Sequence, residues 1–519
     1  MAALTARIGQ QWDMCIIGGG ATGLGVAVDA ASRGFSTILL EQYDFSKGTS
    51  SRATKLVHGG VRYLQQGNIK LVTEALHERG ILRRNAPHLV KNQSFIVPNY
   101  KWWEGPFYGI GLKVYDWMAG SLGLGKSKIL SREETLQMAP TLDAEGLRGG
   151  VLYYDGQFDD ARLAIELAKT AAEQGAVVLN YSRVDSLLKE NGRVSGVCFT
   201  DSVSGQVHII KAKTVINATG VFTDSILRLD DAHSEPIIAP SQGVHLVLDK
   251  EFLPGDAAIL VPHTDDGRVL FAVPWHDKII IGTTDTPVAG PEIEPRALPE
   301  EITFILQQIG RYLKKEPRME DIRSVFAGLR PLVKSSGKKT AELARDHVVM
   351  VTDSGLITIT GGKWTTYRRM AEDTVNTAIT RGGLPERPCV TATLPIHGAT
   401  ETDAGDPLHF HGTDAAAIRA IVAEQPQWRG KLHPRLPYIL AEIVWAAREE
   451  LCVTVEDALS RRTRSLLLDA QAAVDCAPTV AELLAKETGR DRRWQEEQMA
   501  AFREVAAGYL PEHSKAYKS

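Results

Sequence analysis

The stretch DMCIIGGGATGLGVAVDAASRGFSTILLE, Asp13 to Glu41, decides how the first part of the chain folds. MCII is a short apolar run that ends directly in glycines, the pattern of a buried parallel strand. Gly18, Gly20 and Gly23 then form G-x-G-x-x-G. LGVAVDAASRG reads as a helix stopped at Gly34, and STILLE as a second buried strand with an acid at its end. Gly18 permits the tight turn, Gly20 lets the backbone approach a pyrophosphate, and Gly23 allows helix and strand to pack closely. The helix N-terminus faces the phosphates, and Glu41 can accept hydrogen bonds from ribose hydroxyls. A glycine turn without a ligand is the bland alternative. The complete strand–helix–strand unit with its terminal acid points instead to a dinucleotide. At this stage NAD and FAD both remain open.

At 519 residues the chain exceeds the size at which one hydrophobic core stops growing, so two or three domains are expected. A net charge of −4 argues against a nucleic-acid binder that relies on bulk charge. Five cysteines without C-x-x-C spacing are neither a disulfide framework nor a zinc site, and no metal is expected. Residues 1–10 lack the apolar core of a signal peptide, and no run approaches 18 apolar residues. The expectation is a cytoplasmic protein, with attachment to a membrane surface left open by composition.

After Glu41 the chain enters YDFSKGTSSRATKLVHGGVRYL, a small-residue loop that holds Lys55, His58, Arg62 and Tyr63. A purely NAD-binding domain would move on to another βαβ crossover. Later, AKTVINATGVFTD is an apolar strand ending in Ala218, Thr219 and Gly220. GLITITGGKWTTYRRMAEDTVNTAI repeats the strand–glycine–helix pattern at Gly361 and Gly362. A second helix N-terminus of this kind can set N–H groups against a negatively polarised carbonyl such as that of a reduced flavin.

These segments, with IIGGGATG, FDDARL, IIGTTDT, AGLRPL and GGKWTTYRRMAED, occur in the order found in the FAD-dependent glycerol-3-phosphate dehydrogenases, which the first 380 or so residues resemble. The glycine motif is weakly specific; KLVHGGVRYL with GLRPL and GGKWTTYR is strongly so. The resemblance implies a glutathione-reductase-like FAD-binding Rossmann domain, an antiparallel substrate domain and a C-terminal all-helical domain. It implies oxidation of sn-glycerol 3-phosphate to dihydroxyacetone phosphate, with electrons passing through FAD to ubiquinone or menaquinone at the inner face of the cell membrane. The cofactor set it gives is Gly18, Gly20, Ala21, Thr22, Gly23, Glu41, Thr49, Ser50, Val184, Ala218, Thr219, Gly220, Gly361, Gly362, Lys363, Trp364 and Thr365. Family variants attach FAD covalently through His or Cys; no position here asks for that link, so non-covalent FAD is expected.

A phosphate-bearing substrate calls for concentrated positive charge, preferably the forked geometry of Arg. Arg62, Arg330, Arg345 and Lys363 are the candidates, with Lys55 and Tyr63 beside them, and an ion pair is the alternative reading for any one cation. Oxidation of the alcohol calls for a base titrating near the working pH, which suits His58 or His245. Either could instead be a satisfied core residue, and the choice between them stays open. Arg330 could in addition stabilise charge on the reacting oxygen.

The flavin part is expected to be discontinuous, over 13–75, 150–235 and 320–385, with the substrate part over 76–149 and 236–319. The Pro-, Thr- and Gly-rich stretch 384–410 reads as a linker, and 411–519 as amphipathic helices, in which VEDALSRRTR also matches the family. Tyr100 to Lys128 interleaves Trp, Tyr, Phe and Lys, which suits either a membrane interface or a helix covering the active site. A homodimer is compatible with the sequence.

Three competitors are weighed. A related oxidase would use O2 and make hydrogen peroxide, but no long polar insertion of the kind associated with it is evident. An amino-acid or N-methylglycine oxidase would need a carboxylate clamp rather than a phosphate-binding cluster. A non-catalytic flavin-binding sensor would be expected to lose some of the substrate cations.

Overall fold

The computed structural model describes residues 9–60, 68–334, 347–402 and 405–511. Strand β1 (Gln11–Ile17), helix α1 (Ala21–Ser32) and strand β2 (Thr37–Leu40) form the expected crossover unit. β1 lies between β2 and the strand Val207–Asn217, parallel to both, and β2 runs parallel to Val177–Leu179. Ile357–Gly361 adds a further parallel strand beside Val207–Asn217. Antiparallel strands bring this sheet to eight strands among the described residues: His347–Val351 at one edge, and the hairpin Ser182–Glu190 with Arg193–Asp201. α1 is apolar nearly all round because it is covered on both sides, by the helices Asp160–Glu173 and Tyr367–Gly382.

Among the described residues the second sheet has ten strands and is antiparallel except where Ala258–Val261 runs parallel to Val90–Asn99. Its spine is the long pair Ile238–Asp249 and Ile322–Val333, in register from Ile238 opposite Val333 to Leu248 opposite Ile322, with a bulge after Val247. The membership of this sheet corrects the sequence-based division. Leu56–Val57, Gly149–Phe158 and Ile322–Val333, expected with the flavin part, all pair in the second sheet. The physical reason is plain for Gly149–Phe158, which is buried on both faces, so its apolar run carries no alternation to separate a parallel from an antiparallel neighbour.

The stretch 384–410 is a packed strap rather than a free linker. Leu384 and Ile396 sit in the core of the first layer, and the carbonyls of Thr391 and Ala392 accept from Asn85 Nδ2 (3.0 Å) and Arg84 Nη2 (2.7 Å). Beyond it come the helices Ala415–Glu424, Leu440–Glu449, Ala470–Thr488 and Arg492–Ala507, with a π-helical turn at Ala458–Arg462.

That turn is where the helical part locks on. Arg461 Nε and Arg462 Nη1 both donate to Asp44 Oδ2, at 2.6 and 2.7 Å, and all three side chains are buried. Burial works against charge on Asp44, yet the Arg462 and Arg461 guanidiniums hold its carboxyl down at about 2. Asp44→Ala would leave two guanidiniums buried without their shared acceptor. Such a loss costs about 3–5 kcal/mol, and chemical denaturation should show the variant destabilised by that order.

Candidate active site

Two contiguous chambers open where the two sheets meet. The first lies beyond the carboxyl ends of β1 and Val207–Asn217, the position at which open α/β sheets bind ligands. Gly18, Gly20, Ala21, Thr22, Glu41, Thr49, Ser50, Val184, Ala218, Thr219, Gly220, Gly361, Gly362, Lys363 and Trp364 line it. Thr365 borders the second chamber instead. Gly23 reaches neither: it faces Gly18, and a Cβ there would fall inside the contact radius of the Gly18 carbonyl oxygen. Gly18 has φ +108°, and a Cβ on it would lie 2.7 Å from the Ala218 carbonyl oxygen, so this turn accepts only glycine.

The cradle is held by side chains that arrive from elsewhere. Glu41 accepts from the N–H groups of Gly19 (2.6 Å) and Tyr43 (2.9 Å), which fixes the glycine turn. Burial pushes its carboxyl up, and those two donors oppose the shift. Ser50 Oγ accepts from Ala21 N–H at 2.9 Å, capping α1 from a separate loop. Trp364 Nε1 donates to the Ser50 carbonyl at 2.8 Å, tying that loop to the second glycine–helix junction.

The second chamber brings His58, His245, Arg330 and Lys363 together, with Thr49, Trp364 and Pro331 on the wall it shares with the first. His245 stacks on Phe326 with ring centroids 4.7 Å apart and planes at 12°. Its Nε2 is 2.9 Å from Thr54 Oγ1, whereas Nδ1 is buried without a hydrogen-bond partner. Burial drives its pKa well below the usual imidazole value, and the charges on Lys55 and Arg330 add to the effect. His245 is therefore neutral at neutral pH. Arg330 donates through Nη1 to Asp285 Oδ1 (3.1 Å) and through Nη2 to Thr283 Oγ1 (3.1 Å) and the Thr284 carbonyl (3.0 Å), which aims its guanidinium at the chamber.

A third, mainly apolar chamber adjoins, walled by Val97, Tyr108, Leu112, Tyr153, Leu260 and Phe271, with His58, Arg268, Asp285 and Arg330 at its polar end. Arg268 is not among the cations that the sequence motifs single out. Its Nη1 is buried 4.0 Å from Asp285 Oδ2. Thr54 and Asp285 gain their significance only from distant partners, His245 at 191 residues and Arg330 at 45.

Lys55 is a correction. It borders none of the three chambers: its ammonium is fully buried against Asp160 Oδ2 (2.7 Å) and the Ser51 carbonyl (2.8 Å), because its left-handed backbone, φ +63°, accompanies a side chain turned into the protein. Arg62, Tyr63 and Arg345 lie outside the described residues. Among the described residues one trio, Glu166, His397 and Asp414, has donor atoms within 4.8 Å of one another. Arg162 already pairs with Glu166 and Lys169 with Asp414, so its charge is met by the protein's own cations.

A glycine cradle on a parallel sheet, a second glycine–helix junction and an adjoining cationic chamber together define the FAD-dependent oxidoreductase class, and the family model described as FAD dependent oxidoreductase matches residues 13–368. A second, the C-terminal domain of alpha-glycerophosphate oxidase, matches 354–498. The mitochondrial glycerol-3-phosphate dehydrogenase of Homo sapiens is 41% identical over 539 residues, covering 96% of this chain and 74% of the relative. The probable mitochondrial glycerol-3-phosphate dehydrogenase of Caenorhabditis elegans is 42% identical over 537 residues, covering 96% and 74%. The glycerol-3-phosphate dehydrogenase from Bacillus halodurans complexed with FAD superposes with a TM-score of 0.80 at 29% identity, over 98% of this chain and 97% of that one. The chain belongs to the FAD-dependent glycerol-3-phosphate dehydrogenase family.

FAD is accordingly its cofactor, and the first chamber fits it: Gly18 and Gly20 line it where β1 turns into the N-terminus of α1, and Glu41 lines it directly after β2. Gly23→Ala tests that fit at a residue that touches no ligand. The added methyl should push α1 off the Gly18 turn, and the purified variant should carry little or no FAD by its visible absorption.

Proposed function

We propose that the protein oxidises sn-glycerol 3-phosphate at C2 to dihydroxyacetone phosphate and delivers the two electrons to a membrane quinone. The observation that carries the reading is the second chamber, where a neutral imidazole and an aimed guanidinium share a wall with the dinucleotide cradle. In the reaction the C2–H bond breaks with its electron pair, and the hydroxyl proton leaves as the C2–O double bond forms. FAD, when bound, accepts the hydride.

His245 is the group we assign to the proton. Held neutral by burial and by neighbouring cations, its ring keeps one unprotonated nitrogen across the neutral range, with Thr54 orienting it through Nε2. His58 borders the same chamber and the apolar one beyond it. Arg330 and Lys363 supply positive charge for the phosphate and for the oxygen as it becomes a carbonyl, with Arg268 adding charge at the far end. The non-covalent reading of FAD attachment is supported by Cys15, whose thiol is packed in an apolar cluster and pushed up to about 12 by burial.

The quinone and membrane readings draw support from the helix Glu104–Ala119. One face, with Tyr108, Leu112 and Tyr115, packs inward and roofs the apolar chamber. The opposite side leaves Phe107, Ile110 and Trp117 exposed, and with Trp102 (77%) and Trp117 (82%) nearly bare the patch is rimmed by exposed Lys101, Lys113 and Lys126. No helix among the described residues is long and apolar enough to cross a membrane, so this surface suits attachment in the interfacial plane.

The test is an anaerobic titration with sn-glycerol 3-phosphate followed by reoxidation. Stoichiometric loss of the flavin's visible band, reversed by a water-soluble quinone much faster than by air, is the expected result. Fast reoxidation by O2 with formation of hydrogen peroxide would make the protein an oxidase. No bleaching of the fully loaded protein would overturn the substrate. A Trp102→Ser/Trp117→Ser variant should bind anionic phospholipid vesicles at least about thirtyfold more weakly, since burial of each large aromatic side chain is worth more than about 1 kcal/mol and the two together more than about 2 kcal/mol. Its reduction of a soluble dye should be unchanged.

A further inference from the structure

The segment VEDALSRRTR, Val455 to Arg464, belongs to the C-terminal helical part, yet its last residue ends beside the loop that forms the floor of the dinucleotide chamber. Arg464 is 1% exposed. Its Nη1 donates to the Ser460 carbonyl at 2.6 Å, so the π-helical turn fixes the guanidinium before it reaches out. Nη2 donates to the Ser51 carbonyl at 2.7 Å and to Asp160 Oδ1 at 3.0 Å. Lys55 Nζ approaches the same two groups, at 2.8 Å from the Ser51 carbonyl and 2.7 Å from Asp160 Oδ2. Two cations therefore occupy the two lone pairs of one backbone oxygen, and the buried Asp160 carboxylate pairs with both, while Asp159 Oδ1 lies 3.7 Å from Arg464 Nε. Asp160 Oδ2 also accepts from Ala53 N–H at 2.9 Å, closing the grip on the loop from its other end.

What is held in this way is the set of contacts just upstream. Ser50 Oγ caps the first turn of α1 through Ala21 N–H (2.9 Å), and the Ser50 carbonyl receives Trp364 Nε1 (2.8 Å). Thr49 Oγ1 donates to the Leu329 carbonyl at 2.7 Å, next to Arg330. The turn Thr49–Ser51 thus touches both glycine–helix junctions and the strand that carries the chamber's guanidinium.

We infer that Arg464 is a positioning residue for the cofactor. It fixes the Ser51 carbonyl, and with it Thr49 and Ser50, so that the helical part of the chain sets the shape of the FAD chamber without lining it. The inference rests on the placement of FAD in the first chamber. It gives the helical part a role that its own side chains, none of which line the three chambers among the described residues, do not announce.

The test compares three variants of the holoenzyme. Arg464→Lys keeps the charge but cannot present a fork to Ser51, Asp160 and Ser460 together. Arg162→Lys weakens another buried contact to the helical part, Nη1 to Glu450 Oε2 at 3.1 Å, which does not involve the 49–51 turn. Ser50→Ala removes the cap on α1. The readouts are thermal midpoint and the rate of FAD release on dilution, followed by the fluorescence of the freed flavin. Arg464→Lys and Ser50→Ala should each release FAD at least tenfold faster, whereas Arg162→Lys, with a comparable loss of thermal midpoint, should release it at the parent rate. If Arg464→Lys and Arg162→Lys behave alike, the contact is structural and the inference fails. If Ser50→Ala accelerates release and Arg464→Lys does not, FAD is where we place it but the relay through Ser51 is wrong. If neither accelerates release, the placement itself fails and takes the inference with it.

Discussion

The buried carboxylate of Asp160 is the point on which the two halves of the site depend. It stands at the first turn of the helix Asp160–Glu173, where its own negative charge is favoured by the helix N-terminus, and it neutralises Lys55 and Arg464 at once. Without it, Lys55 would be left donating to the Ser51 carbonyl and Arg464 would keep only the Asp159 carboxylate 3.7 Å from its Nε, and breaking a buried pair of this kind costs about 3–5 kcal/mol. The strain on charge is visible in Lys55, whose pKa is drawn down to about 8 by burial and by Arg464 against the pull of Asp160. From this cluster the loop 49–55 leaves in two directions: upstream to cap α1, downstream into Leu56–Val57 of the second sheet. A single charged knot thus joins the dinucleotide layer, the substrate layer and the helical part.

The second constraint is electrostatic and belongs to the reaction. A chamber meant for a phosphate must be cationic, yet the same cations discourage protonation of any histidine among them. In this protein the conflict becomes useful. Arg330 is partly neutralised by Asp285, which leaves its guanidinium oriented, while His245 is held neutral and so remains a proton acceptor. In the proposed reaction the cations and His245 thereby take opposite tasks within one chamber.

The crossover unit at Asp13–Glu41 was readable because each residue type there has one geometric use: Gly18 at positive φ, Gly23 against a carbonyl, Glu41 at a strand end. The second junction at Gly361 and Gly362 was readable for the same reason. What escaped the sequence was everything set by pairing over long distances. Gly149–Phe158 and Ile322–Val333 gave no sign of their sheet because strands buried on both faces lose their alternation. Lys55 carried the composition of a substrate ligand and became a structural ion, since only the fold brings Asp160 to it. Arg268 and Arg464 stand in no motif of the site, the latter in the link between the π-helical turn and the helix Ser465–Leu468, yet Arg268 borders the third chamber and Arg464 reaches the Ser51 carbonyl.

The central claim is that the second chamber holds glycerol 3-phosphate with its C2–H ready to leave as hydride. The most direct measurement is anaerobic stopped-flow reduction of the bound flavin by sn-glycerol 3-phosphate and by the same compound carrying deuterium at C2. A several-fold slower bleaching of the flavin band with the deuterated substrate, and slower still in a His245→Ala variant, is the result this account requires. Equal rates with the two isotopic forms, in a phase that depends on substrate concentration and is unaffected by the loss of His245, would contradict it.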